Sequence, residues 1–77
     1  MPNSIDVERA QLRDATRPIA RDAMAAVATR VETIAAKVNT GRYRDAVPDA
    51  AALEVELARA ANLTEAYYRY GGMRGTL

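Results

Sequence analysis

The sequence predicts an all-α protein, made of a short N-terminal helix followed by a long antiparallel helical hairpin. Three observations support this fold class. Alanine, arginine, glutamate and leucine, which favour helices, dominate the chain, and the alternation of apolar and polar residues that marks a strand is absent. Apolar residues recur at helical spacing over two long segments. Proline and glycine then divide the chain at Pro18, at Asn39–Gly41 and at Gly71-Gly72.

The first helix is predicted to span about residues 4–16. Asn3 or Ser4 can act as its N-cap, because both side chains accept hydrogen bonds from free backbone N–H groups. Pro18 either kinks this helix or begins the next one, since proline lacks a backbone donor and is tolerated best at a helix start. The residue before a proline is disfavoured in the α conformation, so we predict a break here.

A repeat of apolar residues marks the second helix, which is predicted for about residues 18–38. Its members follow one another at alternating steps of four and three residues: Ala20, Met24, Val27, Val31, Ile34 and Val38. This is the a/d heptad pattern, which keeps one seam of a helix against a partner helix. We assign this stripe to packing inside the hairpin and not to a docking surface.

The third helix is predicted for about residues 48–70, from a proline in its first turn to the glycine that follows it. One side of it is apolar, with Leu53, Leu57, Ala60, Leu63 or Thr64, and Tyr67. Val55 lies off that side, beside Ala51 and Ala58, and this second strip indicates a second packing surface. Residues 71–77 are predicted to form a flexible tail after a single domain of residues 1–70.

The core that this composition can build is thin. The chain has 77 residues, contains no Cys, Trp or Phe, and owes much of its apolar content to alanine. Burial contributes about 0.8 kcal/mol for each CH₂ group, whereas ordering a residue costs roughly 1.5 kcal/mol. Disulfides and Cys or His metal sites are excluded, so association is the remaining source of stability. We therefore expect oligomerisation or a partner to complete the hairpin as a bundle.

Residue patterns that support catalysis are absent from the sequence. There is no His, no Cys, no phosphate-binding glycine loop and no nucleophile motif. Glu54, Glu56 and Glu65 lack the ExxH partners that a di-iron bundle uses, so we interpret them as a solvated face. We expect no enzymatic activity, no catalytic, cofactor or metal site, and no small-molecule substrate.

The most unusual segment is the tyrosine-rich end of the third helix. Tyrosine, arginine and methionine are enriched at interfaces because they bring a large contact area at modest entropic cost. The predicted partner-binding residues are Val55, Tyr67, Tyr68, Arg69, Tyr70, Met73 and Arg74. The sequence thus predicts a structural or assembly subunit that docks onto other protein subunits, self or foreign, as in a virion or another multi-subunit particle.

A second interpretation uses arginines that recur every four residues. They are Arg9, Arg13, Arg17 and Arg21. If Pro18 only kinks the helix, these residues form a basic stripe that can contact phosphates. Aspartates at helical spacing offset this charge, and the net charge of +1 gives no overall attraction to nucleic acid or to a membrane. The alternative function is a small regulatory binder, either inhibitor-like or antitoxin-like, or a DNA-associated accessory factor.

The sequence also predicts where the protein resides. Residues 1–6 lack the basic region and apolar core of a signal peptide, and the longest uncharged stretch, residues 23–29, is too short to span a membrane. We expect a cytoplasmic location or a place within an assembled particle.

Overall fold

A computed structural model describes residues 3–77 and contains two α-helices that pack antiparallel. Helix α1 spans Ser4–Asn39 (36 residues) and helix α2 spans Tyr43–Arg69 (27 residues). The all-α class and the helical hairpin are therefore confirmed. The first two residues of the predicted domain, Met1 and Pro2, lie outside the described residues, and so does their part in the signal-peptide prediction.

Helix α1 runs without interruption through Pro18, so the predicted break between residues 4–16 and 18–38 is wrong. A proline inside a helix costs roughly 3 kcal/mol, because a hydrogen bond is lost and its ring crowds the carbonyl four residues earlier. Here that carbonyl belongs to Asp14. Both Asp14 and Pro18 are exposed, so water can reach the freed oxygen. Residues with favourable helix propensity on either side of Pro18 then keep α1 continuous.

The start of α1 agrees with its prediction. Asn3 is the N-cap, and its Oδ1 accepts a hydrogen bond from the backbone N–H of Asp6 at 2.9 Å. The carboxylate of Asp6 lies in the first turn, where the helix dipole favours negative charge.

The connector between the helices is only Thr40–Arg42, which is much shorter than the gap of residues 39–47 between the second and third predicted helices. Gly41 has a φ of +75° and follows the C-cap, and its N–H donates to the carbonyl of Val38 at 3.0 Å. The next N–H donates to the carbonyl of Lys37 at 2.8 Å, which completes a Schellman motif. This motif reverses the chain within three residues.

Helix α2 therefore begins at Tyr43, before the predicted start at Pro48, which lies in the second turn. Contacts with α1 stabilise the extra turn, since Ala46 is buried and the Lys37 ammonium donates to the backbone oxygen of Asp45 at 3.3 Å. Pro48 leaves the carbonyl of Arg44 without its intrahelical donor, but both residues are exposed, so water can reach this oxygen.

Only half of the predicted heptad stripe lies in the seam between the two helices. The shared residues are Ala20, Val27 and Ile34, whereas Ala23, Arg30 and Lys37 stand where Met24, Val31 and Val38 were expected. Ala23 is 2% exposed, while Met24 and Val31 are each 48% exposed. The long cationic side chains reach across to carboxylates on α2, and this rotates the medium-sized apolar side chains to one flank.

Most of the buried side chains are alanines, as the composition predicts. In the described chain they are Ala20, Ala23, Ala46, Asp49, Ala60 and Tyr67, and no large side chain is fully buried. Alanine lets the helices approach closely but contributes little apolar area.

The molecule is elongated, with dimensions of 61 × 18 × 14 Å. Its radius of gyration is 16.7 Å, compared with about 11.5 Å for a compact domain of this length. Since α1 is nine residues longer than α2, its N-terminal turns extend beyond the hairpin, and Ile5 and Leu12 there are exposed. Neither described helix is long and apolar enough to cross a membrane.

Residues 71–77 fold back on the hairpin, which differs from the predicted flexible tail. Helix α2 ends in a second Schellman motif, in which Gly71 has a φ of +95° and the N–H of Gly72 donates to the carbonyl of Tyr67 at 2.9 Å. The Tyr67 hydroxyl then hydrogen-bonds Thr76 Oγ1 at 2.6 Å. The Arg21 guanidinium donates to the backbone oxygen of Leu77.

Candidate docking surface

One flank of the hairpin carries four charged side chains that pair across the seam. This ionic cluster consists of Arg30 and Lys37 from α1 and of Asp49 and Glu56 from α2. Arg30 donates to Asp49 Oδ1 and to Glu56 Oε1, each at 2.8 Å, and the Lys37 ammonium binds the other oxygen of Asp49. Arg30 and Lys37 are seven residues apart on α1, and Asp49 and Glu56 are seven residues apart on α2. Each pair therefore lies on one side of its helix.

Asp49 is the most buried member of the ionic cluster, at 8% exposure. The hydrogen bond from Lys37 lowers the pKa of its carboxyl most strongly, and the hydrogen bond from Arg30 lowers it further, against the opposing effect of burial. The Glu56 and Asp49 carboxylates in turn raise the pKa of Arg30. Asp49 and Arg30 are therefore charged at neutral pH. The carboxylates of the ionic cluster are occupied by cations of the same chain.

The opposite flank is an apolar face. It is formed by Met24, Val27, Val31, Ile34 and Val38 of α1 and by Leu53, Leu57, Ala61 and Tyr68 of α2. Three of these side chains, Met24, Val31 and Leu57, are each 48% exposed although they border the seam. Heptad spacing places Met24, Val31 and Val38 in one row along α1. The face follows most of the length over which the helices are paired.

A shallow groove of about 550 Å³ lies in the apolar face near the end of α2. Met24 and Val27 form one wall, and Leu57, Ala61 and Tyr68 form the other. Leu77 closes one end of it, because the folded tail brings that residue back to the hairpin. The groove is lined almost wholly by carbon, so it fits apolar side chains and not a polar substrate.

The predicted partner-binding residues are divided between different surfaces. Val55 is 70% exposed but lies on the outer side of α2, away from the apolar face. Tyr67 is 4% exposed and belongs to the core, and its ring packs against that of Tyr68 at a centroid distance of 5.7 Å. Of the predicted partner-binding residues, Tyr68 alone lines the apolar groove.

The remaining predicted contact residues surround the end of the hairpin. Tyr70 is half-buried at the C-cap of α2, and Met73 and Arg74 are exposed in the folded tail. Arg69 is exposed, with its guanidinium 4.0 Å from the carboxylate of Glu65 one turn earlier. These four residues thus form no single surface with Val55.

The four arginines of the predicted basic stripe do lie on one continuous helix, but they are not a free row of charge. Arg13 bonds Asp14 at 3.0 Å, and Arg21 binds the folded tail. The Nε atom of Arg17 is buried without a hydrogen-bond partner in the described chain, and Arg9 is exposed. Successive members also rotate by about 40° around the helix, because 3.6 residues make a turn. Two of the four, Arg13 and Arg21, therefore already have a partner within the chain.

The sequence interpretation missed the apolar face because it placed Met24, Val31 and Leu57 inside the seam. A signal for the correct seam was present in the charges. The cations at positions 30 and 37 and the carboxylates at positions 49 and 56 have the same heptad spacing and opposite signs. Such matched pairs fix which sides of two antiparallel helices face each other.

Comparison with known proteins finds no match to this chain among protein-family models, curated proteins or solved structures. Its function is therefore inferred from the chemistry and geometry of the surfaces described above.

Proposed function

We propose that this protein is a non-enzymatic assembly subunit that docks onto other protein chains through its apolar face. The observation that carries the proposal is the combination of a thin internal core with an apolar row left at its edge. Met24, Val31 and Leu57 stand half-exposed along the seam, while alanine fills most of the interior. Covering this face would add apolar burial that folding of the hairpin leaves incomplete.

The accessible surface supports the same proposal. A compact monomer of this mass exposes about 4,600 Å², whereas the chain, at 8.4 kDa, exposes 5684 Å². The excess of about 1,100 Å², in which polar and apolar atoms are counted together, comes with the elongated shape and leaves room for the roughly 800 Å² that each partner contributes to a standard protein interface.

The non-enzymatic part of the proposal follows from residue types and their neighbours. The chain has no His and no Cys. Asp49 and Glu56 are the carboxylates nearest to burial, and both are neutralised by Arg30 or Lys37. A general acid or base needs a free side chain with access to a reacting atom.

Site-specific photo-crosslinking in the organism that encodes the chain tests the proposal. A photoreactive residue at Val31 reports on the apolar face, and one at Val55 reports on the outer side of α2. One at Met73 reports on the tyrosine-rich end of the hairpin, where the sequence predicted partner contacts. We expect protein adducts from Val31 and few from Val55, because only the apolar face is to be covered. The absence of protein adducts at Val31, or equal yields at Val31 and Val55, would overturn the proposed docking surface.

A further inference from the structure

The shape of the apolar face limits what can cover it. The face spans both helices, since α1 and α2 each contribute an apolar row. The row from Met24 to Val38 and the row from Leu53 to Tyr68 each extend about 21 to 23 Å at 1.5 Å per residue. Because the helices are antiparallel and ion pairs place Arg30 beside Glu56 and Lys37 beside Asp49, the rows are staggered and lie side by side over about 10 Å around Leu57. A single helix would cover the groove where the rows meet and leave the far end of each row wet. A second layer of two helices covers both rows.

A second copy of this chain provides such a layer. Its own apolar face has the same width, the same length and the same need for burial, as a two-fold symmetric interface requires. The excess surface of about 1,100 Å² per chain also exceeds the half-share of a standard interface. Two hairpins stacked in this way form a four-helix bundle, an architecture in which short loops join antiparallel neighbouring helices.

Charge does not oppose self-association. The chain has 11 basic and 10 acidic residues, so two copies approach each other with a net charge of only +1 each. The ionic cluster lies on the flank away from the apolar face and is already neutralised internally. Among the residues that line the groove, Glu65 is the one charged side chain, and it lies near the rim beside Arg69.

We propose that two copies of this chain stack through their apolar faces to form a four-helix bundle, in which Met24, Val31, Val38 and Leu57 become core residues. The inference rests on the proposed docking function and names the partner as a second copy of the chain. The ionic clusters of both copies then face solvent on the outside of the bundle.

Sedimentation of the purified full chain across a hundredfold concentration range tests this inference. We expect a species of twice the chain mass of 8.4 kDa, with dissociation only at the lowest concentrations. Leu57→Glu places a charge in the centre of the interface and should give single chains. Val55→Glu is the matched control, since the same change two residues away falls on the outer side of α2 and should leave the dimer intact. Val31→Glu provides an independent variant on α1 should Leu57→Glu fail to fold.

A wild-type chain that stays at single-chain mass while remaining helical would overturn the second-copy inference, as would loss of the dimer in Val55→Glu but not in the two face variants. The photo-crosslinking experiment separates this failure from failure of the docking function. Adducts at Val31 with the mass of two chains support both proposals. Adducts of another mass support docking and overturn self-association, and the absence of adducts overturns the docking proposal.

Discussion

Among single residues, Asp49 has the greatest influence on how the two helices align. It is almost buried, and its two carboxylate oxygens bind Arg30 and Lys37, which are two turns apart on α1. Sliding α2 by one turn in either direction would move Asp49 about 5.4 Å away from one of its two cations. Alanine contacts give no such preference, because every methyl group in the seam is alike. The ionic cluster therefore favours the observed alignment of the hairpin.

The stability of the hairpin is expected to fall as the pH drops below about 4. Lys37 and Arg30 hold the pKa of Asp49 below its ordinary value, so the folded chain keeps this carboxylate charged at pH values where the unfolded chain has bound a proton. The contribution is complete above the unfolded pKa and is lost as the pH falls through the lower folded pKa. Urea denaturation followed by circular dichroism across the acidic range measures it.

Asp49→Asn tests the assignment of this pH dependence. The variant should be less stable at neutral pH, because two cations lose their acceptor, and its stability should change less with pH. Asp22→Asn serves as the control, since Asp22 is exposed on α1 and should keep the wild-type profile. An unaltered acid profile in Asp49→Asn would show that other carboxylates dominate.

Gly72→Ala is expected to destabilise the chain by about 1–3 kcal/mol. A Cβ atom at Gly72 would overlap the ring of Tyr67, which is buried and whose hydroxyl holds Thr76. The ring cannot move away without losing that bond or its packing. Thermal denaturation beside Met73→Ala, which removes an exposed neighbouring side chain, measures the effect. Equal melting temperatures for the two variants would mean that the ring moves at no cost.

Within the elements, the long helix α1 tolerates Pro18 at a price in free energy that a substitution should recover. Pro18→Ala restores the N–H donor to the Asp14 carbonyl, so the free energy of unfolding should rise by up to about 3 kcal/mol. Pro48→Ala should give a smaller gain, because a single turn of α2 precedes Pro48 and can adjust to its ring more easily than the middle of α1 can. Chemical denaturation of both variants checks the order. A larger gain at Pro48 would contradict the account given for α1.

The helical composition was sufficient to predict two long helices and their antiparallel pairing, but not how they face each other. Two stripes on α1 share Ala20, Val27 and Ile34, and apolarity alone favoured the one with Met24. The other stripe contains Arg30 and Lys37, and a search for apolar residues does not count charged side chains as members of a stripe. Their place in the seam depends on carboxylates of a different helix, so the correct choice requires both helices to be considered together.

The ends of the elements were predictable where the determinant is local. Asn3 as N-cap and the glycines after both helices act within their own turn, and the structure places them in these roles. The start of α2 was missed because Ala46 is stabilised by burial against α1, which the local sequence does not reveal. The fold of the tail depends likewise on a distant residue, Arg21.

For the molecule as a whole, elongation and incomplete burial favour the self-association that we propose. The melting temperature of the wild-type chain should then rise with protein concentration, since the proposed dimer would stabilise the folded state by mass action. In Leu57→Glu the melting temperature should be lower and independent of concentration. Circular dichroism melts over a hundredfold range of concentration make the comparison. A constant wild-type melting temperature would indicate that the isolated hairpin is stable without a partner.

The three-residue connector Thr40–Arg42 has a consequence for the kinetics of assembly. Closing so short a loop costs little chain entropy, and the first contacts across it, between Lys37 and Asp49, are close in sequence. The hairpin should thus form in microseconds to milliseconds, well before two chains meet at low concentration. Refolding after dilution should then show a fast phase whose rate is independent of concentration, followed by a second-order phase that buries the apolar face.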